Sequence, residues 1–200
     1  MAGRARFFGW RVVWSAFALA VFGWGVGFYG PPVYLHTVIQ RTGWPLPLVS
    51  SAVTVHFLVG AIVIANLPAL YRRFGVSRVT PAGSLALAAG VVGWAIAATP
   101  AQLFAAAILS GVGWVAMGAA AVNAIVAPWF ERARPTALAT AYNGASIGGL
   151  VFTPLWVALI GRIGFVAAAT AMGTVMVITI WTLSRTVFSL RPEDVGQAAD

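Results

Sequence analysis

The stretch "VTPAGSLALAAGVVGWAIAATPAQLFAAAILSGVGWVAMGAAAVNAIVAPWF", residues 79–130, contains no charged side chain. It begins after Arg78 and ends before Glu131, and it is long enough for two helices of the roughly 20 apolar residues that cross a hydrocarbon core. Pro100 disfavours helical structure at Thr99 and predicts a tight turn between the two helices. The stretch therefore predicts an all-α integral membrane protein.

The composition of the whole chain supports the membrane class. Of its 200 residues, 60% are hydrophobic and 8% are charged, and the mean hydropathy is +0.91. A soluble domain of this size needs more charge to cover its surface. The absence of cysteine excludes disulfides and thiolate metal sites. The net charge of +8 comes from arginines between apolar runs, which is typical of membrane topology, so we predict no nucleic-acid partner.

The same length criterion predicts six transmembrane helices. Charged residues and helix breakers separate the apolar runs; Pro135, for example, fits the first turn of the fifth helix, and "GRIG" at 161–164 ends it. The predicted spans cover about residues 12–30, 48–71, 79–98, 101–127, 135–160 and 165–184. They leave an N-terminal segment, 1–11, and a C-terminal tail, 185–200.

The arginines are distributed unevenly between the two sides of the predicted bundle. With the N-terminus inside, the inner segments hold Arg4, Arg6, Arg11, Arg72, Arg73, Arg78, Arg132, Arg134, Arg185 and Arg191. The outer segments hold Arg41 and Arg162. The positive-inside rule therefore predicts a multi-pass protein of the inner (plasma) membrane with both termini in the cytoplasm. The basic residues are all arginine and the chain is rich in Ala and Gly, which suggests a bacterial genome of high GC content.

The stretch "AYNGASIGGLVFTPL", residues 141–155, matches the G-x-S-x-G pattern of a serine nucleophile elbow at Gly144, Ser146 and Gly148. A nucleophile elbow needs a strand-to-helix turn with a histidine and an acid nearby. Ser146 instead lies inside the predicted fifth helix, and no predicted span contains an acid. We interpret the two glycines as a face for helix packing and predict no enzyme. An intramembrane serine hydrolase that pairs Ser146 with a histidine is the less favoured alternative.

The segment "PALYRRFGVSRV", Pro68–Val79, resembles the loop G-x-L-x-D-R-x-G-R-R between the second and third spans of the major facilitator superfamily. The matching positions are Leu70, Arg73 and Gly75, and Arg78 supplies the final basic residue with a displacement of one position. Pro68 replaces the first glycine, and Arg72 replaces the aspartate. In the family this aspartate joins a charge network that holds one conformational state, so the altered loop, with Arg72, Arg73, Gly75 and Arg78, lacks its anionic group.

Other segments extend the resemblance over nearly the whole chain. They are "GWRVVWSAFALAVFGWGVGFYG", "GVGW", "PWFERARPTALATAYNGASIGGLVFTPL" and "RPEDVG". Together they are similar to the oxalate/formate antiporter and monocarboxylate porter-like branch. The resemblance implies a 3+3 repeat that forms the N-terminal six-helix half of a twelve-span fold, with the tail 185–200 as the start of the linker between halves. The solute site of such a protein lies at the midplane between its halves.

The resemblance also implies a function and partners. The expected function is secondary active transport of a small solute, an organic anion such as a monocarboxylate, by alternating access. The expected partners are the lipid bilayer, the solute and a second six-helix half from the same gene, a separate chain or a second copy. A non-transporting membrane subunit or a truncated remnant is the alternative. No phosphate-binding loop occurs, and we expect no cofactor and no metal.

Polar groups inside a membrane are costly unless they are used or satisfied, so they mark candidate sites. No predicted span contains a charged side chain. His56, in the second predicted span, is the titratable imidazole inside the membrane. The candidates for the solute cavity are Tyr29, Asn143, Tyr142, His56, Asn123, Trp24 and Trp114. The first and fifth helices face the cavity in the resembling family, which favours Tyr29 and Asn143. Each candidate has the alternative of helix packing, an interhelical hydrogen bond or, for the tryptophans, lipid contact.

Overall fold

The structure, a computed structural model, describes residues 7–200, so residues 1–6 of the predicted N-terminal segment 1–11 lie outside it. These residues form eight α-helices. They are α1 Gly9–Gly27, α2 Gly30–Thr42, α3 Leu46–Phe74, α4 Val76–Ile96, α5 Pro100–Val115, α6 Ala119–Val126, α7 Arg134–Ile163 and α8 Phe165–Thr186. Short 3-10 turns cover Ala127–Trp129 and Pro192–Val195. No strand occurs within residues 7–200.

Six helical segments are long and apolar enough to cross a membrane. They are Gly9–Thr42, Leu46–Phe74, Val76–Ile96, Pro100–Trp129, Arg134–Ile163 and Phe165–Thr186. The predicted all-α fold with six transmembrane helices is therefore confirmed. The first span differs from its predicted extent, 12–30, because helical structure continues to Thr42. Pro31 and Pro32 occupy the first turn of α2, where the fixed φ of proline fits the helix, and so they do not end the span.

The first and fourth spans are each interrupted near their middle. The first breaks at Phe28 and Tyr29, between α1 and α2, and the fourth breaks at residues 116–118, between α5 and α6. In a 3+3 repeat these two spans occupy equivalent positions.

The junctions that follow the second and fifth spans are also alike. Gly75 has φ 80° and ψ 148°, and Gly164 has φ 78° and ψ 162°. Both are backbone conformations that essentially only glycine adopts.

Close helix packing also follows the repeat. Helix α1 of the first span lies along α7 of the fifth, and α5 of the fourth span lies along α3 of the second. A Cβ atom on Gly148 would lie 2.6 Å from the carbonyl oxygen of Val21 in α1. Gly144 approaches the backbone of α1 in the same way, and Gly111 of α5 approaches the carbonyl of His56 in α3. Such contacts need glycine, because a side chain would separate the helices.

One end of the bundle, here the arginine-rich end, holds the start of α1, the α3–α4 junction, the segment before α7 and the end of α8. The C-terminal tail packs on this end. The Asp200 carboxylate accepts hydrogen bonds from the backbone N–H groups of Glu131, Arg132 and Ala133, at 2.6, 3.1 and 2.9 Å. The Gln197 side chain accepts a further bond, from the N–H of Phe8. The tail thus joins the start of α1 to the start of α7.

Candidate functional site

Six aromatic side chains form a continuous cluster, here the aromatic face. Its members are Trp24, Phe28, Tyr29, Phe57, Trp114 and Tyr142. The ring centroids of Trp24 lie 6.0 Å from Trp114 and 6.3 Å from Tyr142. Those of Phe28 lie 5.1 to 5.8 Å from Tyr29, Phe57 and Trp114. The cluster therefore joins the first, second, fourth and fifth spans, and the third and sixth spans contribute no member.

The aromatic face lies at mid-length of the bundle and reaches its surface. Trp24 and Tyr29 are close to the middle of the first span, Gly9–Thr42, and Trp114 is close to the middle of the fourth, Pro100–Trp129. The side chain of Phe28 is 42% exposed. The aromatic face therefore brings together four candidates of the sequence analysis. They are Tyr29, Trp24, Trp114 and Tyr142.

The break in the first span positions this face, and its cause is local. The N–H group of Tyr29 bonds to the carbonyl of Trp24 at 2.8 Å, which deprives the carbonyl of Gly25 of its usual partner. Pro31 has no N–H to offer the carbonyl of Gly27, four residues before it. Backbone carbonyls at membrane depth must then find partners elsewhere.

Three side chains from three helices supply these partners. His56 of α3 donates from Nε2 to the carbonyl of Gly27 at 2.9 Å. The Tyr34 hydroxyl of α2 donates to Val26 at 3.0 Å, and the Trp156 indole of α7 donates to Gly25 at 3.3 Å. All three donors are buried. A buried polar group without a partner costs about 1–3 kcal/mol, so these bonds stabilise the break.

His56 is 1% exposed and fully hydrogen-bonded. Because a carbonyl can only accept, the bond to Gly27 places a proton on Nε2 and leaves Nδ1 free to accept. The Ser110 hydroxyl lies 2.8 Å from Nδ1 and donates to it, while the Trp94 indole donates to Ser110 at 3.2 Å. His56 stacks behind Trp114, with ring centroids 6.4 Å apart. The imidazole thus lies behind the aromatic face and not on its surface.

Asn123 and Tyr142 form a polar pair beside Trp24. The Asn123 amide donates to the Tyr142 hydroxyl at 2.8 Å, and that hydroxyl donates to the carbonyl of Ala119 at 3.0 Å. Asn123 is exposed and Tyr142 is half-buried. The pair therefore extends the aromatic face towards the arginine-rich end with groups that can bond to a solute.

Asn143 and Ser146 stand apart from this arrangement. Both are exposed on α7, and neither forms a side-chain hydrogen bond to another residue in the described range 7–200. They share a strip of the helix with Leu150, which is 73% exposed. Ser146 lies inside a continuous helix, and the histidine that contacts a serine is His56, whose partner is the buried Ser110. Helix packing at Gly144 and Gly148 accounts for the G-x-S-x-G pattern.

Sequence analysis missed the partners of the break, which are Tyr34, Trp156, Ser110 and Trp94. The adjacent prolines Pro31 and Pro32 carry the signal that could have found the break. The predicted first span ends at residue 30, directly before them, although two prolines in a longer apolar segment also predict unpaired carbonyls one turn earlier. The donors themselves come from distant parts of the chain and have no local signal.

The residues of the altered loop separate around the α3–α4 junction. Arg72 and Gly75 line a cavity of about 810 Å³ at the arginine-rich end, together with Arg191 and Glu193 of the tail. The guanidinium of Arg73 lies 5.1 Å from the ring centroid of Phe74. Arg78 lies in the first turn of α4.

A cavity of about 410 Å³ between α3, α4 and α5 is lined mainly by apolar side chains such as Leu67 and Phe74, and it offers little to recognise a solute. Among residues 7–200, no group of three or more histidine, cysteine or acidic side chains could hold a metal ion.

Comparison with known proteins identifies the family. A family model described as Major Facilitator Superfamily matches residues 13–199. No curated protein matches the chain. The match covers more than half of the sequence and agrees with the six apolar helices, and members of this family are transporters and not enzymes. The chain therefore belongs to the Major Facilitator Superfamily, and it is a multi-pass membrane transporter or half of one.

Proposed function

We propose that the chain is the N-terminal half of a secondary active transporter and that a second six-helix half covers the aromatic face. The observation that carries the proposal is the position of this face. It lies at mid-length, it is exposed at Phe28, and it is built by four spans while the third and sixth pack elsewhere. Solute sites of such transporters lie at the midplane between halves, beside discontinuous helices.

The chemistry of the face favours a small organic anion such as a monocarboxylate. Tyr29 and the pair of Asn123 and Tyr142 offer hydroxyl and amide groups, and none of the four acidic residues of the chain lies in a span to repel an anion. The half-helices α2 and α6 begin at the two breaks, and the N-terminus of a helix carries partial positive charge. The cationic counter-charge would come from the second half.

The orientation follows from the arginines. Ten of the twelve lie on the predicted inner side, which supports a bacterial inner-membrane protein with both termini in the cytoplasm. In this arrangement residues 185–200 begin the linker to the second half.

The test is uptake by proteoliposomes that contain the native assembly purified from its own membrane. Labelled oxalate, formate and lactate would be compared with a neutral sugar and an organic cation. We expect uptake of at least one anion and its loss in Tyr29→Phe, and Asn143→Ala tests whether the exposed strip of α7 also contacts the solute. Ser146→Ala is the matched control, because Ser146 is exposed on the same strip of α7 as Asn143. Uptake of the sugar or the cation alone would exclude the organic anion, and normal uptake by both variants would exclude the assigned residues.

A further inference from the structure

A basic cavity of about 540 Å³ lies between α4 and α8 at the arginine-rich end. The side chains that carry its polar character are Ser77, Arg78, Trp181, Ser184, Arg185 and Ser189. Arg78 and Arg185 are both exposed, and the guanidinium of Arg185 lies 5.5 Å from the ring centroid of Trp181. The chain has four acidic residues for twelve basic ones, so this cavity retains positive charge that an anion can neutralise.

A buried hydroxyl in this cavity has no partner. Ser184 is 2% exposed, and its Oγ forms no hydrogen bond with any residue of the described range. Other hydroxyls of α8, such as those of Thr179 and Thr182, bond to the carbonyl four residues earlier. An unpaired buried hydroxyl is unfavourable, and an acceptor oxygen of a ligand in the cavity would satisfy it.

An apolar groove of about 300 Å³ continues from this cavity along the same seam. Leu85 lines both, and the groove continues past Val92 of α4 and Val177 of α8. From Arg78 to Val92, helix α4 rises by roughly 20 Å at about 1.5 Å per residue. This length is similar to that of one leaflet with its headgroup layer, which is about half of a bilayer of roughly 40–45 Å. The seam therefore combines a headgroup-sized basic cavity with an acyl-chain-sized groove.

We infer that the α4–α8 seam binds an anionic phospholipid from the leaflet at the arginine-rich end. Its phosphate would bind Arg78 and Arg185 and accept a hydrogen bond from Ser184, and one acyl chain would lie in the groove beyond Leu85. A free phosphate would need only the basic cavity, and the continuous groove is what favours a lipid. Basic pockets between helices at this depth are typical of lipid headgroup sites. The site lies away from the aromatic face, so the inference does not rest on the proposed transport function.

The test is native mass spectrometry of the detergent-purified assembly titrated separately with phosphatidylglycerol, phosphatidylcholine and inorganic phosphate. We expect tight binding of phosphatidylglycerol alone. Arg78→Gln with Arg185→Gln should weaken that binding about 30-fold, since each arginine at a membrane surface contributes about five-fold. Leu85→Trp, which fills the start of the groove without changing any charge, should weaken it as well. Arg73→Gln is the matched control, because Arg73 lies at the same end but stacks on Phe74.

Three results would overturn the inference. Equal binding of phosphatidylcholine would show that the arginines do not select the headgroup. Displacement of the lipid by millimolar inorganic phosphate, with no effect of Leu85→Trp, would identify a site for a soluble anion. Unchanged binding in the double arginine variant would place the lipid elsewhere. If that variant does not fold, two other measurements test the inference. They are the preference of the wild-type protein for phosphatidylglycerol and the loss of lipid binding in Leu85→Trp.

Discussion

His56 is the side chain on which the break in the first span depends most directly. It is buried, and its Nε2–H is the donor to the Gly27 carbonyl, which Pro31 cannot serve. We expect His56→Phe, which keeps a ring but removes the donor, to lower the free energy of unfolding by about 1–3 kcal/mol. Thermal unfolding in detergent measures this change. His36→Ala is the control, because His36 is exposed on α2.

A second substitution separates the lost hydrogen bond from lost packing. Pro31→Ala restores a backbone N–H four residues after Gly27, so it should recover part of the stability that His56→Phe loses. A double-mutant cycle with no coupling between positions 31 and 56 would mean that the carbonyl of Gly27 is not what His56 stabilises.

Asp200 makes the docked tail sensitive to acid. Burial raises the pKa of its carboxyl, but the N–H groups of Glu131, Ala133 and Arg132 and the charge of Arg132 lower it more, so the pKa lies below its ordinary value of 3.8. A lowered pKa means that the contact is present above the ordinary value and is lost as the pH falls through the lowered one. We expect hydrogen exchange at amides 131–133, corrected for intrinsic rates, to accelerate in that acid range.

Asp200→Asn should accelerate the exchange of the same amides at neutral pH and remove its dependence on acid. Asp194→Asn is the control, since Asp194 bonds to the N–H of Arg191 within the tail and not to the segment before α7. Fast exchange of amides 131–133 in the wild-type protein at neutral pH would contradict the docked tail.

At the scale of elements, Gly75 and Gly164 allow one helix to follow another after a single residue. Their positive φ values, 80° and 78°, are strained for other residues. We expect Gly75→Ala and Gly164→Ala each to lower the free energy of unfolding by about 1–3 kcal/mol. Gly161→Ala should be neutral or stabilising, because that glycine is helical and a Cβ there would meet no atom within 4 Å. Unfolding in a mixture of mild detergent and SDS measures all three.

The elements also show what sequence can and cannot predict. The six spans were predictable because hydropathy is a property of composition within one segment. Packing at Gly144 and Gly148 was predictable because i, i+4 spacing places small residues on one helix face. The break in the first span was not, because Pro31 and Pro32 are typical both of the end of a helix and of the start of the next one.

The candidate site was predictable only in its residue types. Trp24, Trp114 and Tyr142 lie together in the aromatic face, and their role in solute binding stays a prediction. His56 was selected for its depth in the membrane, but its surroundings depend on Ser110, 54 positions away, which no local pattern connects to it. Asn143 is a candidate because the fifth helix faces the cavity in the resembling family. Its side chain is exposed, and the uptake experiment tests whether it contacts the solute.

At the scale of the whole molecule, the aromatic face and the α4–α8 seam should meet different surroundings. The chain contains no cysteine, so single cysteines can be introduced directly. We expect Phe28→Cys to form cross-links to a second half in native membranes, because this exposed ring lies on the face that the second half would cover. Leu85→Cys, on the seam, is the matched control and should react only with reagents dissolved in the lipid. Cross-linking through Leu85→Cys, and not through Phe28→Cys, would reverse the assignment of the two surfaces.

The three bonds at the break also limit how the first span can move at mid-length. The carbonyls of Gly25, Val26 and Gly27, at the end of α1, are held by α7, α2 and α3 respectively, so a displacement of this end of α1 changes contacts with three helices at once. Each bond contributes about 1 kcal/mol, and all three together make a simultaneous rupture about 150-fold rarer. Opening at this break should therefore be all-or-none. If this part of the chain acts as a gate during transport, it would spend little time partly open and would restrict the passive leak of ions while no solute is bound.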